Sequence, residues 1–208
     1  MQPQLSLIAS GLQFPEGPIA LGDGSILLVE IKTGQLTHIK DGETRCIAEL
    51  GGGPNGAAIG PDGFCYVCNN GGFEWIKRGT KVYPGEQPAN YTSGSIQRVN
   101  LQSGEFTTLY SHCDGEALKG PNDIVFDAEG GFWFTDHGKN RPRDRDRTGV
   151  FYALPDGNHI EEVIFPLEAP NGIGLSADET ELFVAETPTG RVWAYPLQGP
   201  GRIDTAAP

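Results

Sequence analysis

The chain is poor in basic residues. Fifteen Lys and Arg stand against 27 Asp and Glu, for a formal net charge of −12. Such a balance repels nucleic acid and anionic membranes, and it suits cation binding or plain solubility. The one basic cluster, residues 141–147, is interrupted by Asp144 and Asp146 among turn formers and reads as a solvated loop, with the border of a substrate mouth as the lesser alternative. No apolar run approaches the ~20 residues of a membrane-spanning helix. The opening Met1-Gln2-Pro3-Gln4-Leu5 lacks the charged and apolar regions of a secretory signal. Cysteine is scarce: Cys46, Cys65, Cys68 and Cys113. Cys65 and Cys68 lie three apart in a strand-like run, so they point to opposite faces, and no second such pair exists to complete a zinc site. Buried free thiols in a reducing cytoplasm are the expectation. No segment shows a helical apolar period over three turns. No Gly-x-Ser-x-Gly elbow and no Ser/His/Asp set is present, which disfavours a covalent serine mechanism.

What is abundant is glycine (30) and proline (16), spread along the whole 208 residues between apolar runs. That is the pattern of many short strands joined by tight turns. The chain also repeats itself. Pro15-Glu16-Gly17, Pro54-Asn55-Gly56, Pro121-Asn122-Asp123 and Pro170-Asn171-Gly172 each open a short apolar strand. Each strand is followed by an acidic or glycine turn and by a second apolar strand that ends on Glu30, Asn69, Asp136 or Glu186. Pieces beginning at Gly34, Gly94 and Gly190 share a Gly-polar-apolar entry and read as third strands; residues 44–50 and 105–110 read as fourth strands. Four strands per repeat of ~40–50 residues mark a propeller blade. The fold expected is therefore all-β, a single propeller domain over residues 1–208, with residues 71–93 as an inserted loop.

In a propeller the first strand of each blade lines the central channel. Glu16, Asn55, Asn122 and Asn171 then occupy equivalent positions at its mouth, with Glu30, Asn69, Asp136 and Glu186 nearby. Carboxylate and amide oxygens without convergent His or Cys suit a hard cation such as Ca²⁺, which takes ~6–8 oxygens. Asn or Asp beside Gly is also an ordinary turn residue. Recurrence at one matched position, with an acid at Glu16 and a further acid at Glu186, is what favours a site.

The motifs Phe14-Pro15-Glu16-Gly17-Pro18, Gly120-Pro121-Asn122-Asp123, Phe132-Trp133-Phe134-Thr135-Asp136 and Ala169-Pro170-Asn171-Gly172-Ile173 resemble those of the gluconolactonase/senescence-marker-protein (regucalcin) family. The resemblance runs from about residue 8 to residue 200 and extends to drug-responsive lactonases, diisopropyl fluorophosphatase and paraoxonase. It implies a six-bladed propeller, of which this chain covers only about four to five blades and looks incomplete at its C-terminal end. It implies a divalent ion in the channel, commonly Ca²⁺, with Zn²⁺, Mg²⁺ or Mn²⁺ as other options, held by Glu16, Asn122, Asn171 and Glu186. It implies hydrolysis of a sugar lactone, with Glu186 and Glu16 as catalytic acids. Asn55, Asn69, Asp136 and His137 are the expected substrate contacts. The expected partners are a small lactone, no nucleic acid and no membrane, with self-association through an open propeller edge as a further option. A phosphotriesterase-like hydrolase and a non-catalytic calcium-binding propeller remain the alternatives. Specificity is expected from the loops at residues 71–93 and 137–148.

Overall fold

A computed structural model describes residues 4–204; residues 1–3 and 205–208 of the single-domain span lie outside the described residues. The first sheet holds β1 (Pro15–Ala20), β2 (Ile26–Glu30), β3 (Gln35–Lys40) and β4 (Glu43–Glu49). The second holds β5 (Pro54–Ile59) and β6 (Cys65–Asn69), then leaves for the hairpin β7 (Trp75–Arg78) and β8 (Lys81–Pro84). It resumes with β9 (Ser95–Val99) and β10 (Phe106–Tyr110), followed by a small hairpin of β11 (His112–Cys113) and β12 (Glu116–Ala117). The third is β13 (Pro121–Phe126), β14 (Phe132–Asp136), β15 (Thr148–Ala153) and β16 (Ile160–Leu167). The fourth is β17 (Pro170–Leu175), β18 (Glu181–Glu186), β19 (Arg191–Gly199) and β20 (Arg202–Ile203). Every pairing is antiparallel, and no helix occurs among the described residues.

The four sheets are blades. The innermost strands pack in succession, β1 on β5, β5 on β13 and β13 on β17, with no comparable packing of β17 back onto β1 among the described residues. Neighbouring blades share apolar cores because successive side chains of a strand point to opposite faces. Along β6, Cys65 and Val67 join Val29 and Leu36 of the first blade. The alternate residues Tyr66 and Cys68 join Phe132 and Phe134 of the third. Trp133 faces the other way, against Leu182 and Val184 of the fourth. Each fully buried side chain of this kind contributes roughly 1.5–3 kcal/mol. The Cys65/Cys68 pair thus diverges into two cores, as the strand period requires.

The structure differs from the sequence reading at three places. Residues 71–93 carry a β-hairpin within the insertion. β15 is buried along its whole length, so it has no polar alternation to announce it. Cys46 is exposed rather than buried, while the other three free thiols are buried.

Candidate metal and substrate site in the propeller channel

Each innermost strand has the same irregularity. Its proline pairs with the last residue of the second strand: Pro15 with Glu30, Pro54 with Asn69, Pro121 with Asp136 and Pro170 with Glu186. The register slips directly after the proline in the last three blades; in the first, Glu16 still pairs with Val29 and the slip falls between Glu16 and Ile19. An extra unpaired residue bends a strand and re-aims its side chains. In the last three blades the bulge begins at the residue after proline, and Asn55, Asn122 and Asn171 line one space together with Glu16 of the first blade.

That space has two lobes sharing those four side chains. One, of about 270 Å³, is completed by Gly17, Pro18, Gly56, Ala57 and Asp123. The other, of about 260 Å³, opens toward Phe14, Ile31, Phe73, Pro84, His137 and Asn140. Blades approach closely at this axis because glycine stands third in the motif. A Cβ on Gly56 would lie 2.4 Å from the Asn122 carbonyl oxygen, and one on Gly17 would lie 2.8 Å from the Ala57 nitrogen. No substituent fits at either position.

The donors are available. Asn55 and Asn122 are buried, yet the side-chain amides of Asn55, Asn122 and Asn171 have no hydrogen-bond partner among the described residues. These amides face one cavity, where they are open to a ligand; Asn171 is exposed. Partial enclosure raises the Glu16 carboxyl above its ordinary range; the Gly17 N–H opposes this and the charge of Asp123 adds to it. Among the described residues no three His, Cys, Asp or Glu cluster as a metal set. What converges instead is one carboxylate and three amides, an all-oxygen set of the type hard cations take.

Asp123 was not among the residues singled out by sequence. It occupies the third motif position, where the other blades have Gly17, Gly56 and Gly172, and that substitution was the available signal. Its carboxylate accepts from Ile124 N at 2.9 Å and from Ile173 N of the next blade at 3.1 Å. Burial raises its pKa, with those two N–H groups opposing.

The second-strand ends Glu186, Asp136 and Asn69 behave differently. None of them lines either lobe of the channel. Glu186 is buried, accepting from Glu168 N at 2.7 Å and from Thr189 Oγ1 at 2.7 Å. Asp136 accepts from Lys119 N, Gly120 N and Gly138 N at 2.7, 2.7 and 2.8 Å. Burial still raises its pKa. Asn69 Oδ1 accepts from Gly53 N at 2.8 Å, and Glu30 Oε2 from Gln13 N at 2.6 Å. In every blade this residue ties down the chain just before the motif proline. It is a clasp whose oxygens are already engaged.

His137 does reach the cavity. Burial lowers its pKa, against a hydrogen bond to the Pro170 backbone, so the ring is neutral at pH 7. Its buried Nδ1 has no partner among the described residues. The basic stretch beyond it is held by ion pairs, Arg141 with Asp146 at 2.8 Å and Arg147 with Glu168 at 2.9 Å.

Comparison with known proteins now adds to this geometry. Residues 14–207 match the family described as SMP-30/Gluconolactonase/LRE-like region. The chain belongs to that family. It is 28% identical over 204 residues to the lactonase drp35 of Staphylococcus haemolyticus, covering 96% of this chain and 56% of that protein. It is 24% identical over 221 residues to the gluconolactonase of Zymomonas mobilis, covering 95% and 56%. It is 28% identical over 192 residues to the diisopropyl-fluorophosphatase of Loligo vulgaris, covering 87% and 53%. This SMP-30/gluconolactonase-like chain thus spans little more than half the length of these relatives. A gluconolactonase structure from Xanthomonas campestris superposes with a TM-score of 0.71 at 21% identity, over 92% of this chain and 61% of that one. The fold is that of the family's propellers, with four blades described here.

Proposed function

We propose that this chain carries the metal-binding channel of a sugar-lactone hydrolase, with Ca²⁺ held by Glu16, Asn122 and Asn171 and with Asn55 beside them. The observation that carries the reading is the convergence of four repeat-equivalent oxygen side chains, three of them amides without a protein partner, on one cavity. The relatives named lactonase and gluconolactonase support the reaction class.

Glu16, Asn122 and Asn171 would hold a divalent ion, which when bound would supply polarisation of the lactone carbonyl and a more acidic water. Glu16 supplies the negative charge that holds the cation, and the neutral amides shape its surroundings without adding charge. Asp123 lines the channel and Glu186 lines neither lobe, so the water proton passes to Asp123. Each of its carboxylate oxygens accepts one N–H and keeps a lone pair. Water adds to the carbonyl carbon, the ring C–O bond breaks, and the proton held by Asp123 goes to the departing alkoxide. The product is the open hydroxy acid. His137 lines the same cavity as the four motif side chains.

The test is hydrolysis of gluconolactone with Ca²⁺, after EDTA, and in Glu16→Gln. Turnover that persists unchanged in the metal-stripped protein would end this mechanism. The similarity to diisopropyl-fluorophosphatase supports a second reading, in which the same channel acts on a phosphotriester. An organophosphate ester assayed beside gluconolactone separates the two.

A further inference from the structure

We propose that Lys139 is a positioning residue that fastens the β7–β8 excursion against the channel mouth and so sets how tightly substrate is held. The substrate part of this inference rests on the lactonase reading; the fastening does not.

Lys139 is 1% exposed, a burial lysine rarely shows without an acidic partner. No carboxylate lies within ion-pair distance of it among the described residues. Its ammonium instead donates to the Gly72 carbonyl at 2.6 Å and to Asn70 Oδ1 at 3.2 Å. It also sits 4.4 Å from the Phe73 ring centre and 5.3 Å from that of Tyr91. All four partners belong to residues 70–91, at the two ends of the excursion from the second blade. Lys139 itself belongs to the loop after β14 in the third blade. A long side chain with three donors and a charge that aromatic faces favour is suited to joining two carbonyl-type acceptors inside such a cage.

The excursion needs an external fastening. β7 and β8 pair only with each other, and most of their residues are exposed. An isolated two-stranded hairpin is marginal in water. Three weaker ties run alongside the lysine: Gln87 N to Asn140 O at 2.9 Å, Arg141 Nη1 to Gln87 Oε1 at 3.3 Å, and Tyr91 OH to Lys119 O at 2.5 Å. What is fastened matters to the cavity. Phe73, Pro84 and Gly85 from the excursion form one part of its wall; His137, Gly138 and Asn140, flanking Lys139, form another. Two walls from different blades are therefore held in register by one buried amine.

Lys139→Met keeps the volume and removes the donors. The expected result is a KM for gluconolactone raised about tenfold with kcat within about threefold, the pattern of lost binding rather than lost chemistry. Trypsin cleavage after Lys77, Arg78 or Lys81, at the hairpin tip, should accelerate by about tenfold through local opening, with β-rich circular dichroism unchanged. Tyr91→Phe, which keeps the ring and deletes one tie, should move both readouts the same way by less. Unchanged tryptic rates in a folded Lys139→Met protein overturn the fastening. A faster cut with an unmoved KM overturns its role in substrate binding. Absence of lactone hydrolysis in the unmodified chain would sink the functional reading and leave the tryptic rates to decide the fastening alone.

Discussion

Two sets of side chains repeat around this propeller and differ by only a few ångströms of backbone. The residue after each motif proline, Glu16, Asn55, Asn122 or Asn171, faces the channel, and its three amides have no partner among the described residues. The residue paired with that proline, Glu30, Asn69, Asp136 or Glu186, is buried and saturated with N–H and O–H donors. Both sets are acids and amides in the same motif register. What separates them is their place: one set lines the channel, and the other binds the chain that enters its blade. Chemical type alone says nothing about which set is for binding; which side chains line the cavity does.

The contrast can be broken by substitution. Glu16→Gln should lower lactone hydrolysis by about 10³-fold, equivalent to about 4 kcal/mol of transition-state stabilisation. Its melting temperature should barely move, because no other side chain depends on that carboxylate; a large loss of stability would place Glu16 among the clasps. Asp136→Asn should do the reverse, costing about 3 kcal/mol by leaving buried N–H groups facing an amide that cannot accept them all. For a chain of this size that lowers the melting temperature by about 6–12 °C. Glu186→Gln is the sharper probe, with about 1–2 kcal/mol of stability lost and Ca²⁺ affinity by calorimetry unchanged. Collapse of metal binding in that variant would restore Glu186 as a ligand and dissolve the distinction. Asn122→Ala should weaken Ca²⁺ while shifting stability by no more than about 0.5 kcal/mol, as for a side chain without a protein partner.

A separate effect concerns the buried amine. Burial lowers Lys139 to about 7 in the folded chain, against ~10.4 when unfolded. Below pH 7 both states hold the proton; between about 7 and 10 only the unfolded state does, so this group makes stability rise with pH. Urea midpoints at pH 6 and pH 9 should therefore increase more for the unmodified protein than for Lys139→Met. Parallel curves would show that the amine stays protonated throughout.

Much of the fold is legible in the residues. The four Pro-Glu/Asn-Gly/Asp motifs locate the innermost strands, and Asp23-Gly24 and Asp62-Gly63 mark hairpin turns whose glycines have φ of 81° and 77°. β15 is not legible, since Thr148–Ala153 is buried on both faces and lacks a period. The clasp role of Glu186 is equally hidden, because Glu168 and Thr189 become its donors only through folding.

The amino-acid order by itself therefore determined the blade repeat, the oxygen-rich character of the channel and the divergence of Cys65 from Cys68, all consequences of a two-residue strand period and local turn chemistry. Only the tertiary structure decided which acids remain available, that Asp123 joins them, and that Lys139 lies between two blades. Those facts depend on contacts between residues tens of positions apart, and no local pattern encodes which donors a carboxylate meets once the blades have packed.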